Sequence, residues 1–256
     1  MRAVVISAPG QASLKSMDAP TLAADEVLIR SHSAGICGSD MDVYQGSRPA
    51  EYIHYPVVPG HEWSGIVDAV GRGVRGLQPG DKVVSEGFVY CGSCANCHNG
   101  LTNLCEAGYN EVGFTRPGGF AEYVAVPARL VHRLPADAGL AQAAMLEPTA
   151  VVADAFVRAQ PQAGSTVVVI GDGAIGQLAV HVARLYTPRF VVLVGSRDDR
   201  LELGHRMGAT HTVNYHHEDA YRFVQDLTQG RGADFVLEGA GKTSAVEQAF
   251  SLVRRS

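Results

Sequence analysis

The chain has 256 residues, 46% of them hydrophobic and 18% charged, the make-up of a globular protein with one large domain or two ordinary ones. Its net charge is −5 and no run of five or six like charges occurs, so neither a nucleic-acid surface nor an anionic membrane surface is indicated. Apolar stretches such as residues 166–170 are strand-sized rather than membrane-sized, and residues 1–6 enter a strand pattern at once instead of a secretory apolar segment.

Up to about residue 150 the pattern is short strands broken by turn residues. Residues 3–6, 26–30, 64–70, 82–85 and 121–126 read as strands. Asp25, Gly60, Pro79-Gly80-Asp81 and Pro117-Gly118-Gly119 punctuate them, and Pro9-Gly10 ends the first. Such spacing predicts a closed or partly closed antiparallel barrel. From Glu147-Pro148-Thr149-Ala150 the texture changes, and a helix is expected to about Arg158. Residues 166–170 then form a continuous β-branched run suited to a strand buried on both faces. Helices at 175–186, 200–207 and 218–228 alternate with strands at 190–194, 210–214 and 234–238, and a last helix starts at Ser244. That alternation predicts βαβ units around a parallel sheet. The expected fold class is α/β with a β-rich domain in front, divided into residues 1–150 and 151–256.

All five cysteines stand where zinc chemistry uses them. Cys91, Cys94, Cys97 and Cys105 form a C-x2-C-x2-C-x7-C run in a lobe spanning about residues 88–108. Four thiolates close a structural zinc site completely. As free surface thiols they would be four reactive sulfurs within a short loop. Cys37 stands alone upstream, with Gly60-His61-Glu62 further along. One Cys with a His and a carboxylate from distant segments makes an open site, the kind that does chemistry. Two zinc ions per chain are therefore expected, one catalytic and one structural. Metal-type cysteine spacing without a signal peptide points to a reducing cytosol, hence a cytoplasmic protein.

Gly171-Asp172-Gly173-Ala174-Ile175-Gly176 reads G-x-G-x-x-G, following a buried-type strand and opening an amphipathic helix. The first Gly permits the tight turn, the second lets backbone approach a pyrophosphate, and the third lets helix and strand pack closely. The helix N-terminus offers free N–H groups and a positive dipole end to phosphates. About twenty residues on, an acidic residue would bind the ribose 2′-hydroxyl and favour NAD. Here the chain has Gly195-Ser196-Arg197. A small residue makes room, Ser196 can donate a hydrogen bond, and Arg197 can pair with a 2′-phosphate. NADP(H) is therefore expected in preference to NAD(H). In the alternative, Arg197 is a solvated loop residue and Asp198 or Asp199 reaches the ribose.

Together, Gly35-Ile36-Cys37-Gly38-Ser39-Asp40, Pro59-Gly60-His61-Glu62, the four-cysteine lobe, Leu146-Glu147-Pro148 and residues 171–176 resemble the zinc-dependent medium-chain dehydrogenase/reductase (alcohol dehydrogenase) family. The resemblance implies a GroES-like catalytic domain followed by a Rossmann domain, with the active site in the cleft between them. It makes Cys37 and His61 zinc ligands, with Glu147 or Glu62 as the third. His61 and Glu62 are neighbours, and in extended backbone neighbouring side chains point to opposite faces. Glu62 reaches the same ion only if the backbone departs from a strand there. Glu147 carries no such restriction, so Cys37, His61 and Glu147 are the expected set, with Glu62 exchanging or supporting. A carboxylate in the third position, with residues 57–65, looks like the polyol, threonine and aminocyclitol dehydrogenases and implies a polar secondary alcohol as substrate.

An ion so held lowers the pKa of bound water from 15.7 to about 7. An alcohol there is acidified comparably and can release hydride to nicotinamide. Ser39 is the candidate first proton acceptor. Many relatives carry a His three residues beyond that Ser for a proton relay, where this chain has Asp42. Asp40 is expected to orient the zinc loop. The family also implies a homo-oligomer, dimer or tetramer. Four parallel strands are visible where a Rossmann sheet has about six, so a C-terminally incomplete chain is expected. Two other readings are a metal-independent quinone or enoyl reductase, which leaves Cys37, His61 and the lobe unexplained, and an inactive, truncated homologue that binds zinc and nucleotide.

Overall fold

The computed structural model describes residues 1–255. The chain divides into two compact units, Met1–Glu147 and Pro148–Ser256. The first unit opens with a hairpin, β1 (Arg2–Ala8) and β2 (Gln11–Ser16), followed by β3 (Glu26–Ala34) and helix α1 (Gly38–Gln45). After these come β4 (Trp63–Val70), β5 (Lys82–Ser85), a single-turn helix α2 (Ala95–His98), β6 (Tyr123–Pro127), β7 (Val131–Arg133) and a short helix α3 (Leu140–Ala143). Five strands form an antiparallel sheet in the order β6-β3-β4-β5-β7. The hairpin attaches to that unit through bridges Ala3–Ala121 and Ile6–Val57.

Alternation explains how this sheet finds its core. Along β3, Val27 and Ile29 are fully buried while Glu26 and Leu28 are half-buried and Arg30 is exposed. They meet Trp63, Val67, Val83, Val124 and Val126 in one apolar cluster. A second cluster joins Val43 of α1 to Ile6, Ile53, Val57 and Phe114. It anchors the helix that follows Cys37.

Helix α4 (Leu146–Ala159) leads into the second unit, where strands and helices alternate: β8 (Thr166–Ile170), α5 (Ala174–Ala183), β9 (Phe190–Gly195), α6 (Asp198–Met207), β10 (His211–Asn214), α7 (Ala220–Thr228), β11 (Phe235–Glu238) and α8 (Thr243–Leu252). All pairings are parallel, in the order β10-β9-β8-β11. Every residue of β8 is buried, as its unbroken β-branched run requires. Among the described residues, no helix is long and apolar enough to cross a membrane.

The expected strands and helices are present, with shifts of a few residues at their ends. Five of the elements named above were not anticipated, α2 and α3 being single turns of four residues each that are too short to show a helical period. The six residues of β2 are all exposed, so no burial period marks them, and Pro9-Gly10 is a hairpin turn rather than a stop. The three-residue β7 is too short to carry a pattern. α1 hides among polar residues, only Asp40 and Val43 being buried.

Burial separates the two leucines Leu193, which is 0% exposed on β9, and Leu14, which is 67% exposed on β2. Leu193→Ala is expected to cost about 2–5 kcal/mol of stability. Leu14→Ala should stay within roughly 0.5 kcal/mol of the parent. Urea unfolding followed by circular dichroism measures both, and equal losses would contradict this account.

Candidate metal and nucleotide sites

Cys37 caps the N-terminus of α1, where unpaired N–H groups favour a thiolate. Its own N–H donates to Asp40 Oδ2 at 2.8 Å. Gly60 N–H donates to Asp40 Oδ1 at 3.2 Å, so one buried carboxylate holds the cysteine loop and the Gly60-His61 turn together. His61 Nδ1 lies 3.6 Å from that same Oδ1, just outside hydrogen-bond reach, and has no closer partner. Its Nε2 faces the Ser39 hydroxyl at 3.5 Å.

A ligand atom from each of Cys37, His61 and Glu62 lies within 4.8 Å of the other two. Glu147 is not in this group, which differs from the expected set. The reason is local backbone. Gly60 has φ +96, a left-handed conformation, and the chain bends at Glu62 before β4 begins at Trp63. Residues 61 and 62 are therefore not in extended strand, and both side chains reach one point. Gly35 makes the space, because a Cβ there would lie 2.3 Å from Glu62 Oε2. Glu147, in the first turn of α4, stays close enough for its charge to act on His61.

Electrostatics fit a cation at this point. Burial works against a charge on His61, but Asp40 and Cys37 outweigh it and push its pKa up to about 10. Pairing with His61 lowers the Cys37 thiol despite burial. Burial raises Glu147. One imidazole thus stands among a thiol and several carboxylates, a set that takes a proton when no metal is present. Thiolate, imidazole and carboxylate are zinc's ordinary donors.

In the lobe, Sγ atoms of Cys91, Cys94, Cys97 and Cys105 also lie within 4.8 Å of one another. Backbone N–H groups point at these sulfurs: Cys91 N–H at Cys105 (3.3 Å), Ser93 N–H at Cys91 (3.4 Å) and Cys97 N–H at Cys94 (3.5 Å). Donation from Ser93 holds the Cys91 thiol down at about 6, while desolvation pushes Cys97 up to about 12. Four sulfurs in one shell match a closed zinc site.

In the second unit, a cavity of about 550 Å³ opens at the carboxyl ends of the strands. Its lining includes Gly171, Asp172, Gly173, Gly195, Ser196, Arg200, Tyr215 and Lys242. Gly173 caps the N-terminus of α5, which Ala174 and Ile175 begin. A Cβ on Gly176 would stand 1.7 Å from the Gly171 carbonyl oxygen, so the third glycine lets the helix close onto its strand. Asp172 Oδ2 accepts from Ser196 N–H (2.8 Å) and Arg197 N–H (2.9 Å). Burial opposes its charge, yet these donors keep its carboxyl below the usual range. The Arg197 guanidinium pairs with Asp199 at 2.8 Å and does not line the cavity. Arg200 does, with Nη1 3.6 Å from Asp172.

Residues 23–136 match the family described as alcohol dehydrogenase GroES-like domain, and residues 174–256 match zinc-binding dehydrogenase. A sorbitol dehydrogenase from Bacillus subtilis (strain 168) is 34% identical over 260 residues, covering 100% of this chain and 72% of that protein. The chain belongs to the zinc-binding alcohol dehydrogenase family. An L-threonine 3-dehydrogenase from Anaeromyxobacter sp. (strain Fw109-5) is 39% identical over 251 residues, covering 97% of this chain and 73% of that protein. A zinc-binding dehydrogenase from Sinorhizobium meliloti 1021, solved bound to NADP, matches with a TM-score of 0.92 at 32% identity, covering 99% of this chain and 73% of that one. The antiparallel unit of this alcohol dehydrogenase is its GroES-like domain, and the parallel unit is its Rossmann domain.

Several site residues escaped the sequence reading. Tyr215 and Arg200 could have been found, since ligands of such sheets sit beyond the carboxyl ends of strands and Tyr215 follows one directly. Arg48, Tyr109 and Glu111 carry no motif, and Arg48 meets Tyr109 across 61 positions of sequence.

Gly35→Ala tests the placement of Glu62. The added methyl meets the movable end of a side chain, so the fold should survive while the carboxylate is displaced. Elemental analysis is expected to show zinc falling from about two ions per chain to about one, the lobe keeping its own. Unchanged zinc at both sites would count against Glu62.

Proposed function

We propose that this chain is a zinc-dependent oxidoreductase that moves a hydride between an alcohol and a nicotinamide dinucleotide, with a polar secondary alcohol, interconverted with its ketone, as the preferred substrate class over a primary alcohol and its aldehyde. The observation that carries the proposal is the convergence of one thiol, one imidazole and one carboxylate from separate segments within 4.8 Å. Family membership supports the zinc-dependent reading, and nothing observed favours a metal-independent reductase. Sorbitol and threonine, named for two relatives, are both polar secondary alcohols.

Cys37, His61 and Glu62 would hold the catalytic ion, with Glu147 available to exchange for Glu62. Zinc held there supplies Lewis acidity, lowering the pKa of bound water to about 7 and that of an alcohol hydroxyl comparably. Ser39, whose hydroxyl lies 3.5 Å from His61 Nε2, would accept the alcohol proton in oxidation while passing its own hydroxyl proton on to solvent, and would run the same relay backwards in reduction. Asp42 accepts a hydrogen bond from the Ser47 hydroxyl at 3.1 Å, which commits it to the turn that ends α1. Asp40 keeps Cys37 and the Gly60-His61 turn in register. Cys91, Cys94, Cys97 and Cys105 hold the structural ion. The proposal also places the protein in the cytosol, where thiol ligands stay reduced, as a homo-oligomer.

For the nucleotide we propose NADP(H) over NAD(H). Gly195 leaves room at the end of β9, and Ser196, Arg200 and Tyr215 line the cavity there. Arg200 is better disposed than Arg197 to meet a 2′-phosphate, because Asp199 already engages the Arg197 guanidinium. The NADP carried by the Sinorhizobium meliloti relative supports this choice.

Metal removal tests the reaction. Purified protein assayed against a panel of polyols and hydroxy amino acids is expected to reduce NADP, to lose this activity to a chelator, and to regain it with zinc. Cys37→Ser should abolish turnover while keeping the lobe's ion. Turnover by metal-free protein, or by Cys37→Ser at the parent rate, would sink the proposal. For the cofactor, Arg200→Ala should raise KM for NADP roughly 10–100-fold, the worth of one charge-assisted contact. KM for NAD should change less than about twofold, and equal changes for both cofactors would remove the preference.

A further inference from the structure

Phe114 touches two groups that the reaction scheme keeps apart. Its ring centre lies 5.0 Å from that of His61, the planes tilted by 38°. The Arg48 guanidinium carbon sits 4.0 Å from the same ring centre. Phe114 is 2% exposed, so it transmits any displacement of one neighbour to the other.

Arg48 is held from several directions. Its Nε donates to the Tyr52 carbonyl at 3.1 Å, and its Nη2 donates to the Tyr109 hydroxyl at 2.6 Å. The same Nη2 lies 3.6 Å from Glu111 Oε2, to which the Tyr109 hydroxyl also donates. Tyr109 packs edge-on against Tyr52 with ring centres 4.9 Å apart. The segment is tied to the metal turn by backbone bonds, Gly118 N–H to the Val58 carbonyl and Gly119 N–H to the Gly60 carbonyl, each 2.7 Å.

Such a half-buried ionic triangle contributes little to stability, since the cost of taking its charges partly out of water offsets much of their attraction. What it adds is direction, since a planar fork with three fixed partners cannot rotate. His61 needs that direction. Its buried Nδ1 is 3.6 Å from Asp40, too far for a hydrogen bond to fix the ring torsion, and packing must do so.

We propose, resting on the reading of Cys37, His61 and Glu62 as metal ligands, that Arg48 is a positioning residue of the metal centre. Held by Glu111, Tyr109 and the Tyr52 carbonyl, it sets the plane of Phe114 and through it the tilt of the His61 imidazole. Arg48 touches no reacting atom in this scheme.

Cobalt(II) provides the readout. A chelator removes metal from the open site while the lobe keeps zinc, and cobalt(II) is then added. In the parent, visible ligand-field bands and a thiolate charge-transfer band report the coordination. Arg48→Met keeps side-chain length but loses charge and fork; it should shift those bands and speed loss of cobalt to chelator roughly tenfold. In a Phe114→Leu background the same substitution should add nothing further. Parent-like spectra and release rates in Arg48→Met would overturn the proposal and leave the metal site standing. An undiminished effect of Arg48→Met in the Phe114→Leu background would overturn the route through Phe114. A parent chain that takes up no cobalt would overturn the metal reading and this inference with it. Should Arg48→Met fail to fold, Tyr109→Phe removes a single anchor. It should speed cobalt release by a factor of roughly two to ten, and no change there overturns the proposal equally.

Discussion

One buried carboxylate keeps the candidate metal site in register. Asp40 is 4% exposed and accepts the N–H of Cys37 and the N–H of Gly60, two segments more than twenty positions apart. A carboxylate away from water must be fully partnered, or its charge is stranded at a cost of several kcal/mol. That requirement ties both loops to it. The donor atoms of Cys37, His61 and Glu62 then converge because the loops bearing them share an anchor, rather than because any of them prefers the others. An open metal site needs this arrangement, since it must keep its shape when ligands or substrate leave.

The Rossmann unit repeats the device with different parts. Asp172 accepts N–H groups of Ser196 and Arg197, cross-linking the glycine-rich loop after β8 to the turn after β9. This gives Gly195 a second reason to be glycine. A Cβ there would come within 2.6 Å of Asp172 Cβ and Oδ2, so the small residue admits the cross-link as well as leaving room for nucleotide. Two unrelated architectures thus position their sites by the same physics, a low-solvent carboxylate paired to backbone donors from a second loop.

The parts of the fold written as periodicity were legible. The run Thr166-Val167-Val168-Val169-Ile170 could only be a strand buried on both faces, and it is the sheet's β8. The convergence of the four cysteines was equally plain, because all four sulfurs belong to one short loop. What stayed hidden depends on geometry that no local pattern encodes. The strand rule applied to His61 and Glu62 was sound, but the left-handed Gly60 and the bend at Glu62 exempt these residues from it. The position of Arg197 at the end of β9 is readable from sequence, but its pairing with Asp199, two residues away, is not. Arg48 and Glu111 are ordinary surface types by composition, and only folding pairs a half-buried Arg48 with a buried Glu111.

Crowding of acidic groups explains why two glutamates can compete for one role. Glu147 has its pKa raised by burial and by Glu62, Glu111 and Asp40, and only His61 offsets them. Burial likewise raises Glu111. A divalent cation relieves all of these at once, whereas the proton on His61 relieves them only in part. An ion bound there would be a structural component of the site, for its charge offsets the repulsion among the carboxylates. Glu62 belongs to the donor cluster because the Gly60 turn delivers it, while Glu147 faces the same field, as its charge acting on His61 shows. In an open metal site a second carboxylate close by acts as a reserve, since an ion held there need not be left short of a donor while a bound molecule exchanges.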